Sequence, residues 1–324
     1  MKAITYYKYG SSQNMKLEEL KIPSPKTDEV LIKIYATSVN AWDLDLLLGQ
    51  PIFSRLWGLF TPKMNILGSD VAGLVESVGT GVKDLKPGDR VFGDLVDNNW
   101  GGFAEYTCAK ESALTKIPEG LSFVEAASIP QAACMAFQAF ESIQLPISSQ
   151  TRVLVNGAGG GCGTFAVQFA KQMGAQVTGV DSSDKLDYMK SIGADHVIDY
   201  TKMNYTDMNQ KYDIVIDMVM HNSIYKIEKI LNPGGAFRMV GGKPSKIIQT
   251  FLVSKRLSAK SGKELGVLAA KANYKLSEVV EFIQKENIQP SIDTVYDLID
   301  VPKAMHHIGQ GKTKGKLIIK VRDV

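Results

Sequence analysis

The chain has 324 residues, 44% of them apolar and 22% charged, a balance that excludes a collagen-like or largely disordered protein. Lysine and arginine total 37 and aspartate and glutamate 34, so the formal net charge is only +3. This balance gives no electrostatic case for a nucleic-acid or anionic-membrane partner. At ~150 residues per domain, the length predicts about two domains.

Cysteine and histidine usage argues against disulfides and metal sites. The cysteines are Cys108, Cys134 and Cys162. Their odd number and the absence of a C-x-x-C pair favour a reduced, cytoplasmic compartment. No histidine stands near a cysteine at ligand spacing, so no metal ligands are predicted. The histidines are His196, His221, His306 and His307.

No targeting or membrane-spanning segment is recognisable. Residues 1–8 lack the apolar core of a signal peptide. No run of ~20 apolar residues occurs anywhere in the chain. We therefore expect no membrane and no nucleic acid as partner.

Residues 1–124 are predicted to form a mostly β domain. Strands enriched in Ile, Val and Tyr are indicated at residues 2–7, 30–39 and 71–78. Glycine- and proline-rich turns at residues 79–81 and 86–89 separate further short segments.

Residues 125–271 change to alternating strands and helices. Ser122 and Glu125 have the spacing of a capping box and open the first helix. Strands are predicted at residues 153–155, 177–180, 197–198, 214–216, 237–240 and 265–269, with helices between them. This alternation is typical of an α/β fold with a doubly wound parallel sheet. The tail, residues 272–324, returns to strands and is expected to rejoin the first domain.

A glycine-rich turn follows the strand at residues 153–155. It is not a strict G-x-G-x-x-G, because Ala158 takes the first slot before Gly160 and Gly163. Small residues let the backbone approach a pyrophosphate, and a helix starting near Gly163 would offer that anion its N–H groups. The turn therefore predicts dinucleotide binding, and a packing-only turn is the alternative. The residues concerned are Ala158, Gly160, Gly161, Cys162 and Gly163. Cys162 could be a reactive thiol at a helix start or simply a small apolar residue.

The end of the second strand gives conflicting signals about the cofactor. Asp181 could accept hydrogen bonds from a ribose 2′-hydroxyl, which favours NAD. Ser182, Ser183 and Lys185 could hold a 2′-phosphate, which favours NADP. Lys185 could instead be a solvated helix residue. The choice between the two cofactors stays open at this point.

Several ordered motifs resemble the zinc-free, quinone oxidoreductase branch of the medium-chain dehydrogenase/reductases. They occupy residues 38–43, 66–73, 86–91, 101–106, 153–163, 192–195, 232–235 and 315–318. The resemblance implies a GroES-like substrate domain, residues 1–124 and 272–324, and a Rossmann domain, residues 125–271. It also implies an active site in the cleft between them and hydride transfer from NADPH, with NADH possible. The implied acceptors are quinones or the C=C bond of α,β-unsaturated carbonyls, and the implied assembly is a homodimer.

The resemblance also implies roles for individual residues. Asn40 and Asp70 match positions at the catalytic centre. Lys185 and Tyr200 match positions that hold the 2′-phosphate in NADPH-using members. Val240, Gly241 and Gly242 match the strand end that faces the nicotinamide ring.

Some positions depart from the zinc-dependent and the zinc-free patterns. Zinc-dependent relatives place a Cys where this chain has residues 40–43 and a His-Glu pair where it has residues 69–70, so no metal is expected. Met135 stands where the family usually has a Thr that helps place the nicotinamide. Asp45 stands where several quinone reductases carry a Tyr, which leaves no evident proton donor but water.

Two alternative functions stay open on the sequence. An enoyl-thioester reductase would need a pocket for an acyl carrier chain. A non-catalytic dinucleotide-binding redox sensor would fit Met135 and the missing Tyr. A bulky apolar set is expected to form a substrate wall, a core or an oligomer contact. Its members are Trp42, Phe53, Trp57, Leu59 and Phe60.

Overall fold

A computed structural model describes residues 1–323, except for the side chains of Phe53, Leu56 and Trp57. The chain divides into two compact units. Unit 1 comprises Met1–Cys134, Lys275–Glu281 and the chain from Pro290 onward, and unit 2 comprises Met135–Tyr274 and Phe282–Gln289. The predicted boundaries, 124/125 and 271/272, differ from these.

The regular elements are numbered in chain order. The strands are β1 (Lys2–Thr5), β2 (Lys16–Glu19), β3 (Glu29–Val39), β4 (Asp70–Val78), β5 (Arg90–Asp94), β6 (Tyr106–Lys110), β7 (Thr115–Lys116), β8 (Arg152–Asn156), β9 (Gln176–Asp181), β10 (His196–Asp199), β11 (Tyr212–Asp217), β12 (Leu231–Met239), β13 (Glu264–Val267), β14 (Ile292–Asp297) and β15 (Lys316–Lys320). The α-helices are α1 (Ala41–Leu48), α2 (Phe123–Ala127), α3 (Pro130–Glu141), α4 (Gly161–Gln172), α5 (Leu186–Ser191), α6 (Ile224–Ile230), α7 (Pro244–Ser261), α8 (Leu276–Lys285) and α9 (Val301–Gly309).

Helix α2 explains why unit 1 extends beyond the predicted boundary. Its capping box is confirmed, since the Glu125 N–H donates to Ser122 Oγ and the Ser122 N–H donates to the Glu125 carboxylate, at 3.2 and 2.9 Å. The Phe123 ring stacks on Tyr35 of β3 with centroids 4.5 Å apart, and the Arg90 guanidinium lies 4.7 Å from the Phe123 centroid. These contacts attach α2 to unit 1, although α2 begins the alternation of helices and strands in the sequence.

Unit 1 is built on a sheet in the order β14-β15-β3-β4-β5-β7, with β6 also paired to β3. Strand β15 runs antiparallel to β3, with Leu317 opposite Val39. The tail therefore rejoins the sheet of the first half of the chain, as the return to strands predicts. This pairing brings the start of β15, the end of β3 and the start of β4 to one place in the sheet.

Unit 2 is built on a parallel sheet in the order β10-β9-β8-β11-β12-β13. This is the 3-2-1-4-5-6 order of dinucleotide-binding sheets, and it confirms the predicted doubly wound fold. In the register of the sheet, Asn156 pairs with Asp217, and Asp199 pairs with Asp181. Four neighbouring strands thus end in polar side chains at one edge, the carboxyl edge at which such sheets bind ligands.

Candidate functional site

The glycine-rich turn connects β8 to α4 and is held against the end of β9. Gly157 has φ +81°, and its N–H donates to Val180 O at 2.9 Å. The Ala158 N–H donates to the same oxygen at 3.1 Å. Helix α4 begins at Gly161 with Gly160 as its N-cap, slightly earlier than predicted. The N–H groups of the first turn have no acceptor within the helix and carry the positive end of its dipole, which suits a pyrophosphate.

Gly163 is required by the packing of this turn. A Cβ at Gly163 would lie 2.0 Å from Gly157 O and 2.8 Å from Ala158 Cα. Ala158 is fully buried, and its Cβ lies 3.2 Å from where a side chain on Gly179 would begin. The small residues therefore let the start of α4 approach the sheet closely. This is the local geometry that the motif predicts.

Asp181 and Lys185 form a buried ion pair beside the turn. Asp181 accepts hydrogen bonds from the N–H groups of Gly159 and Ser182, both at 2.9 Å. The Lys185 ammonium lies 3.3 Å from the same carboxylate, and both side chains are buried. The alternative that Lys185 is a solvated residue is therefore wrong. The Asp181 carboxylate therefore holds the turn in place. Its negative charge is compensated by Lys185 before any ribose binds.

The end of β10 completes the polar edge next to this pair. Tyr200 is 56% exposed, and its N–H donates to Asp181 O at 3.1 Å. Asp199 accepts hydrogen bonds from the hydroxyls of Ser183 and Thr201 and lies 3.3 Å from the Lys202 ammonium. These hydrogen bonds, that from Ser183 first, lower the pKa of Asp199 well below its usual range. The main chain of Tyr200 is thus held at the end of β9, and its ring is exposed at this edge.

The third predicted stretch, Val240 to Gly242, lies where β12 ends. The Val240 N–H donates to Asp217 O at 2.8 Å. A Cβ at Gly241 would lie 2.4 Å from Met218 O, and Gly242 has φ +142°. Glycine is therefore required here by the neighbouring strand end, whatever ligand the stretch contacts.

Asp217 is a buried acid that sequence reasoning missed. It accepts hydrogen bonds from Asn156 Nδ2 at 2.8 Å and from the Tyr205 hydroxyl and the Val219 N–H, both at 3.1 Å. Burial raises the pKa of Asp217 to about 6. The signal available in the sequence was that β8 and β11 each end in a polar residue after an apolar run.

Unit 1 holds a separate polar cluster around Asp70, at the start of β4. The Asp70 carboxylate accepts from Ser38 Oγ at 2.6 Å, from Asn40 Nδ2 at 2.9 Å and from the Gln131 N–H at 2.9 Å. The Lys316 ammonium lies 3.3 Å from the same carboxylate and also donates to Asn40 Oδ1. The side chains of Lys316 and Asp70 are 3% and 0% exposed.

This cluster brings the two predicted catalytic residues together and adds a cation to them. Asn40 and Asp70 are both buried, and their polar atoms are hydrogen-bonded within unit 1. Lys316 was noted in the sequence only as part of a closing motif. Its role is not readable there, because it depends on pairing with a residue 246 positions away.

Two further acids around the cluster favour their neutral forms. Burial, followed by the nearby Asp70 charge, raises the pKa of Asp94 to about 7. Burial also raises the pKa of Asp43 to about 7, although it accepts the N–H groups of Asn40 and Gly68 at 2.8 Å each. Lys316 compensates the charge of one carboxylate, that of Asp70. Further carboxylate charges in this buried region are disfavoured.

We expect Asp94→Asn to change the pH dependence of the stability of unit 1. An unfolded Asp loses its proton near pH 4, whereas folded Asp94 keeps it to about 7, so the folded state binds more protons in this window. The stability of the wild type therefore falls as pH rises from about 4 to about 7. The free energy of unfolding of Asp94→Asn, measured relative to that of the wild type, should therefore rise by on the order of 1–3 kcal/mol between about pH 4 and about pH 7.

Urea unfolding followed by tryptophan fluorescence measures this change in unit 1, because Trp42, Trp57 and Trp100 all belong to it. The matched control is Asp97→Asn, a neighbouring exposed acid. A constant difference between Asp94→Asn and wild type at all pH values would contradict the prediction.

The two residues that depart from the family pattern, Met135 and Asp45, both lie on helices of the structure. Met135 lies half-buried on α3. Asp45 lies half-buried on α1, where burial raises its pKa to about 6. Among the expected wall residues, Leu59 and Phe60 are exposed, and Trp42 packs partly against the core of unit 1. The side chains of Phe53 and Trp57 lie outside the described residues. Within residues 1–323, no group of three potential metal ligands comes together.

Comparisons with known proteins agree with this fold. Residues 26–119 match the alcohol dehydrogenase GroES-like domain, and residues 192–319 match the zinc-binding dehydrogenase domain. Residues 82–222 match the C-terminal domain of alanine dehydrogenase and pyridine nucleotide transhydrogenase. A 2-methylene-furan-3-one reductase from Solanum lycopersicum is 33% identical over 330 residues, which cover 98% of this chain and 79% of the relative.

The chain belongs to the quinone oxidoreductase-like family of the medium-chain dehydrogenase/reductases. An NADPH-dependent alkenal/one oxidoreductase from Arabidopsis thaliana is 34% identical over 244 residues, covering 72% of this chain and 61% of that protein. The solved structure of a quinone oxidoreductase from Coxiella burnetii has a TM-score of 0.89 and 26% identity, with 99% of both chains covered. The family resemblance stated from the sequence motifs is thereby confirmed.

Proposed function

We propose that this chain transfers a hydride from NADPH to quinones or to the C=C bond of α,β-unsaturated carbonyls, without zinc. The observation that carries the proposal is the tight turn at Gly163, set between β8 and α4 in a sheet of dinucleotide-binding order. The acceptor class is supported by the relatives, which are named enone, alkenal and quinone reductases.

The residues of unit 2 fit a nicotinamide dinucleotide. The N–H groups at residues 161–163 would hold the pyrophosphate, because they open α4 without intrahelical acceptors. Lys185 and Tyr200 would bind a 2′-phosphate, and residues 240–242 would lie against the nicotinamide. A Cβ at Gly163 or Gly241 would meet backbone oxygens, so these glycines keep the chain closely packed at both places. When bound, the nicotinamide supplies the hydride, and water supplies the proton that completes the reduction.

In unit 1 we propose that Asn40 and Asp70 act as positioning residues. Their polar atoms are hydrogen-bonded to Ser38, Gln131 and Lys316, so they hold the end of β3 and the start of β4 in a fixed arrangement. A rigid, buried support of this kind keeps reactants at a productive distance, which is the main catalytic contribution available without an acid or a metal.

Nicotinamide oxidation by the purified protein tests the proposal. NADPH and NADH are compared with a quinone, a short enal and a crotonyl thioester as acceptors, with acceptor-free controls and with a zinc chelator. We expect turnover of the quinone or the enal, unchanged by the chelator. Turnover of the thioester alone would assign an enoyl-thioester reductase, a function that a relative named trans-enoyl reductase favours. Cofactor binding without any turnover would favour the non-catalytic redox sensor.

We expect Lys185→Met to discriminate between the two cofactors. Lys185 supplies the buried positive charge beside the turn, and its loss leaves Asp181 uncompensated where a 2′-phosphate would bind. The KM for NADPH should rise about tenfold or more, and that for NADH should rise less. The control is Lys202→Met, an exposed lysine at the same edge. Equal increases for both cofactors would mean that Lys185 only supports the turn.

We also propose a cytoplasmic homodimer. Strand β13 is one of the two edge strands of the unit 2 sheet, and its outer edge, which pairs with no other strand within residues 1–323, can pair with the same strand of a second copy. Sedimentation should then give twice the chain mass of 35.4 kDa. A species of the chain mass alone at micromolar concentration would contradict this assembly.

A further inference from the structure

Helix α7 presents an apolar face to solvent. Its inner side packs on the core of unit 2 through Thr250 and Leu257. On the opposite side Ile248, Phe251 and Leu252 are 59%, 74% and 72% exposed. These three positions follow the i, i+3, i+4 spacing of one helix face. Single exposed apolar side chains are ordinary, but a contiguous group on one face marks an interaction surface.

The same face continues into a run of cations. Lys255 and Arg256, at i+7 and i+8 from Ile248, are exposed. The helix also carries Lys246 and Lys260, contains no Asp or Glu, and follows directly on Lys243. Across residues 1–323, no ion pair engages any of these side chains. The helix contributes four positive charges to a chain of net charge +3, so the rest of the chain has a net charge of −1.

The positive potential extends to a neighbouring histidine. Burial, and then the charges of Lys243 and Lys246, lower the pKa of His221. The net charge of the chain does not reveal this cluster of positive charge, because the remaining residues are close to neutral overall. The expectation of no anionic partner, drawn from net charge, is therefore too coarse for this surface.

We propose that the exposed face of α7 docks on an anionic lipid bilayer. A helix with large apolar side chains on one stretch and lysine and arginine beside them lies in the plane of a membrane interface. Ile248, Phe251 and Leu252 enter the headgroup boundary, and Lys255 and Arg256 contact lipid phosphates. The chain would lie on the membrane rather than cross it, since no helix within residues 1–323 is long and apolar enough to span a bilayer.

Charge complementarity favours a bilayer over a second copy of the chain. A twofold contact through this face would bring two helices together that have basic but no acidic residues. An anionic bilayer supplies the missing negative charge and an apolar layer at once. The proposal does not rest on the reductase function, although apolar quinones and enones dissolve in the same layer.

Vesicle flotation of the full chain tests this surface. Phosphatidylcholine vesicles with and without phosphatidylglycerol are the probes, at low and high salt. We expect binding to the anionic vesicles only, weakened by salt. Two paired variants, Phe251→Ser with Leu252→Ser and Lys255→Gln with Arg256→Gln, should each lower the partition coefficient about tenfold or more.

Matched controls separate this helix from other exposed residues. The apolar control pairs Leu59→Ser with Phe60→Ser, and the charge control pairs Lys21→Gln with Lys312→Gln. Reductase turnover with a water-soluble acceptor serves as a folding control and should not change in the α7 variants. The proposal is overturned if no vesicles are bound, if the control pairs lower binding equally, or if the α7 variants change only the oligomeric state in sedimentation.

Discussion

Lys316→Met is expected to lower the free energy of unfolding of unit 1 by about 3–5 kcal/mol, because it leaves a buried carboxylate without its cation. Asp70 has no exposed surface, and Lys316 lies 3.3 Å from its carboxylate. The remaining partners of Asp70 are neutral donors, from Ser38, Asn40 and Gln131. Methionine keeps most of the length of the lysine side chain but not its charge, so the effect measures mainly the loss of the cation rather than a cavity.

A double-mutant cycle separates the ion pair from its surroundings. The double variant Asp70→Asn with Lys316→Met removes both charges. It should lower the free energy of unfolding by less than the sum of the two single changes. The matched control is Lys320→Met on the same strand, where a lysine pairs with Asp323 at the surface; we expect it to cost at most about 1 kcal/mol. Urea unfolding followed by tryptophan fluorescence reports on unit 1 alone. An effect of Lys316→Met no larger than that of Lys320→Met would show that the cluster is not held by this pair.

Gly163→Ala is expected to weaken NADPH binding about 10- to 100-fold and to destabilise unit 2. The new methyl group would lie 2.0 Å from Gly157 O, a backbone atom. Gly157 is itself hydrogen-bonded to Val180, so relief of the clash must move the turn off the end of β9. The N–H groups at the start of α4 would then lose their arrangement.

Two other glycine-to-alanine variants serve as controls for Gly163→Ala. Gly266→Ala lies in the same unit with no atom closer than 3.8 Å to the added carbon, so it should leave stability and binding unchanged. Gly160→Ala meets only Gly157 O at 3.5 Å and should fold normally. Binding is measured by fluorescence titration with NADPH, and stability by thermal unfolding. Normal binding by Gly163→Ala would exclude the close packing of the turn as the basis of the cofactor site.

The elements that sequence predicts best are those with local causes. The apolar run at residues 153–155, the glycine turn and the Ser122 cap each carry their structural reason within a few residues, and all three form as predicted. Alternation of strands and helices then makes the sheet parallel, because parallel strands need crossover connections such as helices.

The features that sequence reasoning missed depend on distant contacts. Lys316 is buried because β15 pairs with β3 and meets Asp70. The burial of Lys185, which pairs with Asp181 four residues earlier, was not predicted because it depends on the glycine turn at Gly159 packing against its side chain. Unit 1 extends to Cys134 because the helix that begins at Phe123 packs on β3 and the Gln131 N–H donates to Asp70. In each case the deciding contact comes from another element of the fold rather than from neighbouring residues.

Hydride transfer by this protein is tested most directly with NADPH carrying deuterium at C4 of the nicotinamide, in separate 4R and 4S forms, and an enone as acceptor. Product is analysed by mass spectrometry and NMR after reaction in ordinary water. We expect one of the two forms to transfer its deuterium to the β-carbon, while the α-carbon takes hydrogen from water. Reduced enone without deuterium from either form, or bound NADPH that is never oxidised, would contradict direct hydride transfer by this protein.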